Sequence, residues 1–347
     1  MRITVLMGGT SSERDVSLAS GLRIAEALRS RGHDVQTIDT AKGALSESDE
    51  RRMLAAGVVK QLPPTPEELA RMNAESVATT AARLPTRDQC DVAFLALHGG
   101  RGEDGTIQAM LDIAGVPYTG SGHLASALAM DKDLSKHVMR AHGVRTADWL
   151  MANDPSALPS EALVTELLGL PVIVKPSKQG STVGLSIVKQ PGELVPAIRE
   201  AFKHDDEVML EQFIAGRELT VCILGGEALP VGEIIPKKEI YDYECKYTAG
   251  MAVEIFPAEL SAEETAEVQT QARLAFEGLK LGGCARIDFR MSPSGEFYCL
   301  EANTLPGMTA TSLVPQAAGA AGIPFPELCE RIALLAVEAS GRFLPTP

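Results

Sequence analysis

The stretch from Arg286 to Leu313, RIDFRMSPSGEFYCLEANTLPGMTATSL, restricts what this chain can become more than any other. Alternating apolar residues and turn chemistry predict a strand over Ala285–Met291, a turn at Ser292–Gly295 and a second strand over Glu296–Ala302. Asp288 lies on the first strand. Glu301 and Asn303 lie at the end of the second, two residues apart. Strand side chains at i and i+2 share a face, so Glu301 and Asn303 converge and the hairpin brings Asp288 beside them. Three oxygen donors without Cys or His suit a hard cation, Mg²⁺ or Mn²⁺. Such ions bind through a few carboxylates plus substrate phosphates. A solvated hairpin with scattered polar residues is the plainer account. Two apolar strands that end in E-x-N-T-x-P-G are harder to explain as surface alone.

At 347 residues the chain exceeds what one core organises, which implies two or three domains. Hydrophobic content of 45% and charged content of 22% are those of a soluble globular protein. A net charge of −14 argues against a nucleic-acid or anionic-membrane surface. It leaves room for a local basic pocket around one nucleotide. The six cysteines are scattered without a C-x-x-C pair and read as free thiols in a reducing compartment. MRITVLMGG is too short an apolar run for a signal peptide, and no stretch approaches ~20 apolar residues. A soluble, cytoplasmic protein is expected.

Several other segments carry chemistry-bearing residues. Ile3–Met7, the Gly8-Gly9 turn and a helix from about Val16 to Arg31 make a strand–turn–helix unit without G-x-G-x-x-G. Glu13, in the turn, reads by itself as a helix-start acid beside Asp15. Asp91–Leu97 is a second buried strand ending at His98-Gly99-Gly100, where open α/β sheets place ligands. A lone histidine there is more often a hydrogen-bonded structural residue. Pro171–Pro176 is a strand carrying Lys175, followed by the small-residue loop SKQGSTVG. That loop is not a P-loop, yet its glycines and hydroxyls would let backbone N–H groups close on phosphate. Tyr241–Gly250 holds three of the five tyrosines and little periodicity, which favours an active-site lid. Lys42–Lys60 and Pro66–Leu84 read as two helices inserted at residues 41–86, a place for dimer contacts with no visible chemistry. Ser261 and Glu264 form a capping box for a helix to Leu279, and a last helix is expected near Pro326–Ser340.

The motifs GGTSSERDVSL, LHGGRGEDGTIQ, PYTGSG, AMDK, VIVKPSKQGSTVG, YDYECKY and ANTLPGMT occur in one order along the chain. In this the chain closely resembles the D-alanine–D-alanine ligases, which are ATP-grasp carboxylate–amine ligases; only the segment near 41–86 lies outside the likeness. The resemblance implies a mixed α/β, three-domain ATP-grasp architecture, with an N-terminal Rossmann-like parallel sheet and the nucleotide between the two later domains. The expected divisions are 1–119, 120–211 and 212–347. It further implies ATP, two Mg²⁺ or Mn²⁺ ions on Asp288, Glu301 and Asn303 with Glu301 shared, and a homodimer.

The resemblance also implies residue roles. Glu13 would hold the ammonium of the first D-alanine, with His98 lining that site. Lys132 and Lys175 would bind the α- and β-phosphates, and Lys246 the γ-phosphate. Ser181 would link the phosphate loop to Glu13, and Tyr247 would bond towards both. Glu211 would hold the adenine edge and Glu218 the ribose. Arg286 and the Gly307 N–H would face the developing oxyanion. Ser312 and Leu313 would hold the second substrate's carboxylate. Gln212 and Ala302 stand where relatives often carry a lysine and a larger apolar residue, which touches adenine-site detail. Other readings stay open: a ligase making D-Ala-D-lactate or D-Ala-D-serine, or a nucleotide-binding relative without turnover. Tyr247 argues against the D-lactate former.

Overall fold

A computed structural model describes residues 1–56, 67, 71, 80–237 and 250–341. Three sheets follow one another along the chain. In the first, Arg2–Met7 lies between the parallel strands Asp34–Asp39 and Val92–Leu95. Its sequence, ITVLM, is apolar on both faces because helices cover both sides of such a sheet. The helix following the Gly8-Gly9 turn runs Arg14–Ser30. Tyr118 meets Ala93 in a single parallel bridge.

The segment after residue 41 departs from the expectation of a helix from Lys42. Gly43–Ala44 pairs antiparallel with Asp34–Asp39, and the helix starts at Glu47, with Glu47–Ala56 described. Gly43 sits at φ +102°, outside helical space, and Ser46 accepts from the Asp49 N–H, so the N-terminus forms there. Glu50 of this helix is buried and takes both Arg29 and Thr37. Most of the expected helix at Pro66–Leu84 lies outside the described residues.

The second sheet is wholly antiparallel, in the order Trp149–Ala152, Val208–Gln212, Val172–Pro176, Ser186–Val188. The third has six strands, with Arg217–Leu224 between Gly232–Pro236 and Cys284–Met291. Phe297–Asn303 completes the hairpin with Cys284–Met291 around the Ser292–Gly295 turn. The helix Ala262–Gly278 begins with the Ser261–Glu264 capping box and buries Val268, Ala272 and Ala275.

The final helices, Leu313–Ala320 and Phe325–Gly341, return to the first sheet. Val314, Leu328 and Ile332 share one apolar cluster with Val5, Met7 and Leu22. Each such buried side chain contributes roughly 1.5–3 kcal/mol. The loop before them, Asn303–Leu313, is thereby fixed between the third sheet and the beginning of the chain. None of the described helices is long and apolar enough to cross a membrane.

Candidate active site

Between the second and third sheets lies a cavity of about 150 Å³, lined by Lys132, Lys175, Ser181, Glu211, Glu218, Arg286, Asp288 and Glu301 among others. The hairpin supplies one wall. Asp288 is directly opposite Glu301 and Arg286 directly opposite Asn303, so period-2 alternation puts all four on one face. The register shifts just past Asp288, where Leu300 is left over. Asp288 accepts from Arg286 Nε at 2.9 Å and Nη2 at 2.8 Å, from Thr220 Oγ1 at 2.8 Å and from Asn303 Nδ2 at 3.0 Å. Burial works against the charged guanidinium, but the Asp288 carboxylate outweighs it and holds Arg286 firmly protonated.

Two of the expected cations converge from elsewhere. Lys132 is the first residue of a helix capped by Asp131, whose side chain accepts from Leu134 N. Its Nζ donates to the Gln179 carbonyl at 2.8 Å and lies 3.3 Å from Glu301. Lys175, at the end of its strand, lies 2.7 Å from Glu211. Lys136 is fully buried and bonds the other Glu211 oxygen, with its Nζ 4.8 Å from the Trp149 ring centre. Burial pushes the Glu211 carboxyl up, but the two lysines outweigh it and hold the group down to about 2. Burial also pushes Lys136 down. Both Glu211 oxygens are thus committed to lysines, which narrows what that side chain itself offers an adenine. Glu218 is met by Arg290 at 3.3 Å.

Lys136 and Arg290 did not figure among the expected site residues. Lys136 had a readable signal: it stands four residues after Lys132, on the same side of one helix.

The small-residue loop SKQGSTVG closes the cavity towards the first sheet. Ser181 donates to Glu13 at 2.5 Å. A side chain at Gly180 or Gly99 would press on the Glu13 carboxylate, with a Cβ at 3.1 Å and 2.9 Å respectively. His98 is buried, and its ring nitrogens meet the Leu305 carbonyl at 2.8 Å and Ser20 Oγ at 3.2 Å. Burial pushes the imidazole down, towards the neutral form. Nearby, Glu103 is pushed up to about 7 by burial and by the Glu13 charge.

Gly307 lies in the following loop, where a Cβ would fall 2.7 Å from Ser312 Oγ. Ser312 accepts from the Thr309 N–H at 2.9 Å and precedes the helix that Leu313 opens. The first amides of a helix have no intrahelical partner and face anions readily. Lys246 and Tyr247 lie outside the described residues.

Among the described residues no group of three or more acidic, His or Cys side chains forms a metal cluster. The donor set here is two carboxylates and an amide.

Comparison with known proteins identifies the family. Residues 2–121 match the family model for the D-ala D-ala ligase N-terminus, and residues 138–334 that for its C-terminus. A D-alanine–D-alanine ligase of Geobacter sulfurreducens is 43% identical over 96% of this chain and 94% of its own. One from Syntrophotalea carbinolica is 42% identical over 95% and 94%. The structure of the Coxiella burnetii enzyme superposes with a TM-score of 0.79 at 29% identity, covering 99% of this chain and 95% of that one. The Bacillus anthracis enzyme complexed with ATP gives 0.76 at 30% identity, with 99% of both chains covered.

Proposed function

The chain belongs to the D-alanine–D-alanine ligase family, and from that premise we propose that it joins two D-alanines through a D-alanyl phosphate. The overall reaction is ATP-dependent ligation, and its product serves peptidoglycan synthesis. A carboxylate is a poor acyl donor because its leaving group would be oxide. Transfer of the γ-phosphoryl group to that oxygen makes phosphate the leaving group, and the second amine then displaces it.

The side chains divide this work. Glu13 takes the ammonium of the first D-alanine, and Ser181 holds Glu13 in place while its loop covers the phosphates. Lys132 and Lys175 neutralise the α- and β-phosphates, Lys246 the γ-phosphate. Arg286 and the Gly307 N–H stabilise the oxyanion that forms when the amine attacks. Ser312 and the Leu313 N–H hold the second carboxylate. Glu211 sets the two lysines and the adenine wall, and Glu218 takes the ribose. Tyr247 favours an amine over a hydroxyl acceptor, and the reaction needs water kept from the acyl phosphate.

Asp288, Glu301 and Asn303 fit a hard divalent ion, since their all-oxygen donors share one face of the hairpin. Mg²⁺ or Mn²⁺, two ions with Glu301 shared, would supply charge neutralisation at the phosphates. We also assign the divisions 1–119, 120–211 and 212–347, a cytoplasmic location and a homodimer.

The observation that carries the reading is the meeting of Lys132, Lys175, Arg286, Asp288 and Glu301 around one cavity, with Ser181 joining it to Glu13. The test is phosphate release from ATP with Mg²⁺, comparing D-alanine, L-alanine and D-alanine plus D-lactate, with products identified by mass. D-Alanyl-D-alanine from D-alanine alone is expected. A depsipeptide as main product at neutral pH would overturn the role given to Tyr247. No release with any acceptor would overturn the reaction.

A further inference from the structure

The four residues Leu305–Met308, Leu-Pro-Gly-Met, are held at both ends by side chains from the first hundred or so residues. The Leu305 N–H donates to Glu103 at 3.3 Å and the Leu305 carbonyl accepts from His98 Nδ1 at 2.8 Å. The Met308 N–H donates to Ser20 Oγ at 3.2 Å, and the Met308 carbonyl accepts from Arg23 at 3.3 Å. Pro306 narrows the backbone between these ends, fixing its own φ and restricting Leu305. Only Gly307 is left to turn freely.

The hydrogen-bond directions are determined. A carbonyl only accepts, so His98 carries its proton on Nδ1. The neutral ring then accepts at Nε2, and Ser20 must donate there at 3.2 Å. Ser20 keeps a lone pair for the Met308 N–H. The chain Met308 N–H, Ser20, His98, Leu305 carbonyl therefore runs in one direction and begins and ends on the same turn. Ser20 is fully buried in the helix Arg14–Ser30. Glu103 reaches the turn from the other side, while its second oxygen accepts from the Gly99 N–H at 3.0 Å.

We propose that Ser20 and Glu103 are positioning residues, which set the Leu305–Met308 turn from the N-terminal sheet so that the Gly307 N–H meets the developing oxyanion. His98 belongs to the same device, with both ring nitrogens spent on it. The proposal rests on the reading of Gly307 given above. Neither Ser20 nor Glu103 lines the cavity described above, so loosening the turn acts on the transition state more than on nucleotide binding.

The test combines two readouts on Ser20→Ala and Glu103→Ala in the full-length enzyme. Amide hydrogen exchange across residues 303–309 reports the turn, and steady-state kinetics report catalysis. Each variant is expected to exchange faster there and to lose about 10-fold in kcat, with KM for ATP within about 2-fold of wild type. Glu103→Ala serves where Ser20→Ala folds poorly, because it removes the acceptor of the Leu305 N–H and so releases the turn from the opposite end. Unchanged exchange in both variants would overturn the proposal, even with kcat reduced, and would leave the Gly307 assignment standing. Faster exchange with wild-type kcat would overturn the catalytic half and, with it, Gly307 as an oxyanion donor.

Discussion

Ser181 donates its hydroxyl to Glu13 at 2.5 Å, a contact between residues 168 positions apart. Ser181 and Thr182 sit at φ +51° and +63°, left-handed backbone that costs a non-glycine residue about 1–2 kcal/mol each. Only a side chain with a task justifies that conformation. Ser181→Ala is expected to lower kcat/KM for D-alanine roughly 10- to 100-fold, the worth of a hydrogen bond to a charged group. Ser181→Gly relaxes the backbone yet lacks the hydroxyl, so it should fold at least as well and be equally impaired. A glycine variant with wild-type kcat/KM would show that the backbone, not the hydroxyl, matters.

Arg286 spends its Nε and Nη2 on Asp288. In the proposed role of oxyanion donor it would supply about 3 kcal/mol of transition-state stabilisation. Arg286→Ala should reduce kcat by roughly 10²–10³-fold while equilibrium ATP binding changes only a few-fold. Arg286→Lys keeps a charge but not the planar fork, so little activity should return. Turnover near wild type in the alanine variant would remove Arg286 from the oxyanion site.

How much of this was legible in the sequence follows from the range of each interaction. The convergence of Asp288, Glu301 and Asn303 was legible because strand alternation and one tight turn suffice to predict it. The Ser261–Glu264 capping box was legible for the same reason. The Glu13–Ser181 contact was not, since nothing local links the two; only the resemblance of the motifs pointed to it. The two lysines on Glu211, Lys136 and Lys175, were not legible together either, because they come from separate elements that only the fold brings to one carboxylate. The grip on Leu305–Met308 was wholly illegible. Its four side chains come from two separate segments, and the packing of the last two helices on the first sheet brings them to the turn.

Gly216, in the turn between Val208–Gln212 and Arg217–Leu224, has φ +123°. A Cβ there would fall 2.0 Å from the Met291 carbonyl oxygen, a backbone atom with no freedom to move aside. Arg290 also donates to the Gly216 carbonyl at 3.0 Å while holding Glu218. Gly216→Ala should therefore cost roughly 2–5 kcal/mol, combining backbone strain and overpacking. The KM for ATP should rise in whatever folded protein remains. Urea unfolding measures the first and initial rates the second. A loss below about 0.5 kcal/mol would mean that the turn does not hold the geometry described.

Glu211 gives a pH-dependent prediction whose sign can be worked out. Its ordinary value is 4.5 and its folded value about 2. A depressed folded pKa contributes stability that is present above 4.5 and lost as pH falls towards 2. The size is about 3 kcal/mol as an order of magnitude. The difference in unfolding free energy between wild type and Glu211→Gln should thus be largest near neutral pH and shrink between pH 4.5 and 2. Removing one partner of a buried ion pair leaves Lys136 charged in an apolar setting, whereas replacing the pair with apolar groups is often near neutral. Glu211→Gln combined with Lys136→Met should accordingly be more stable than Glu211→Gln alone. Urea unfolding at pH 7, 4 and 3 gives both comparisons. A gap that stays constant over that range would mean that the negative charge of Glu211 does not stabilise the fold.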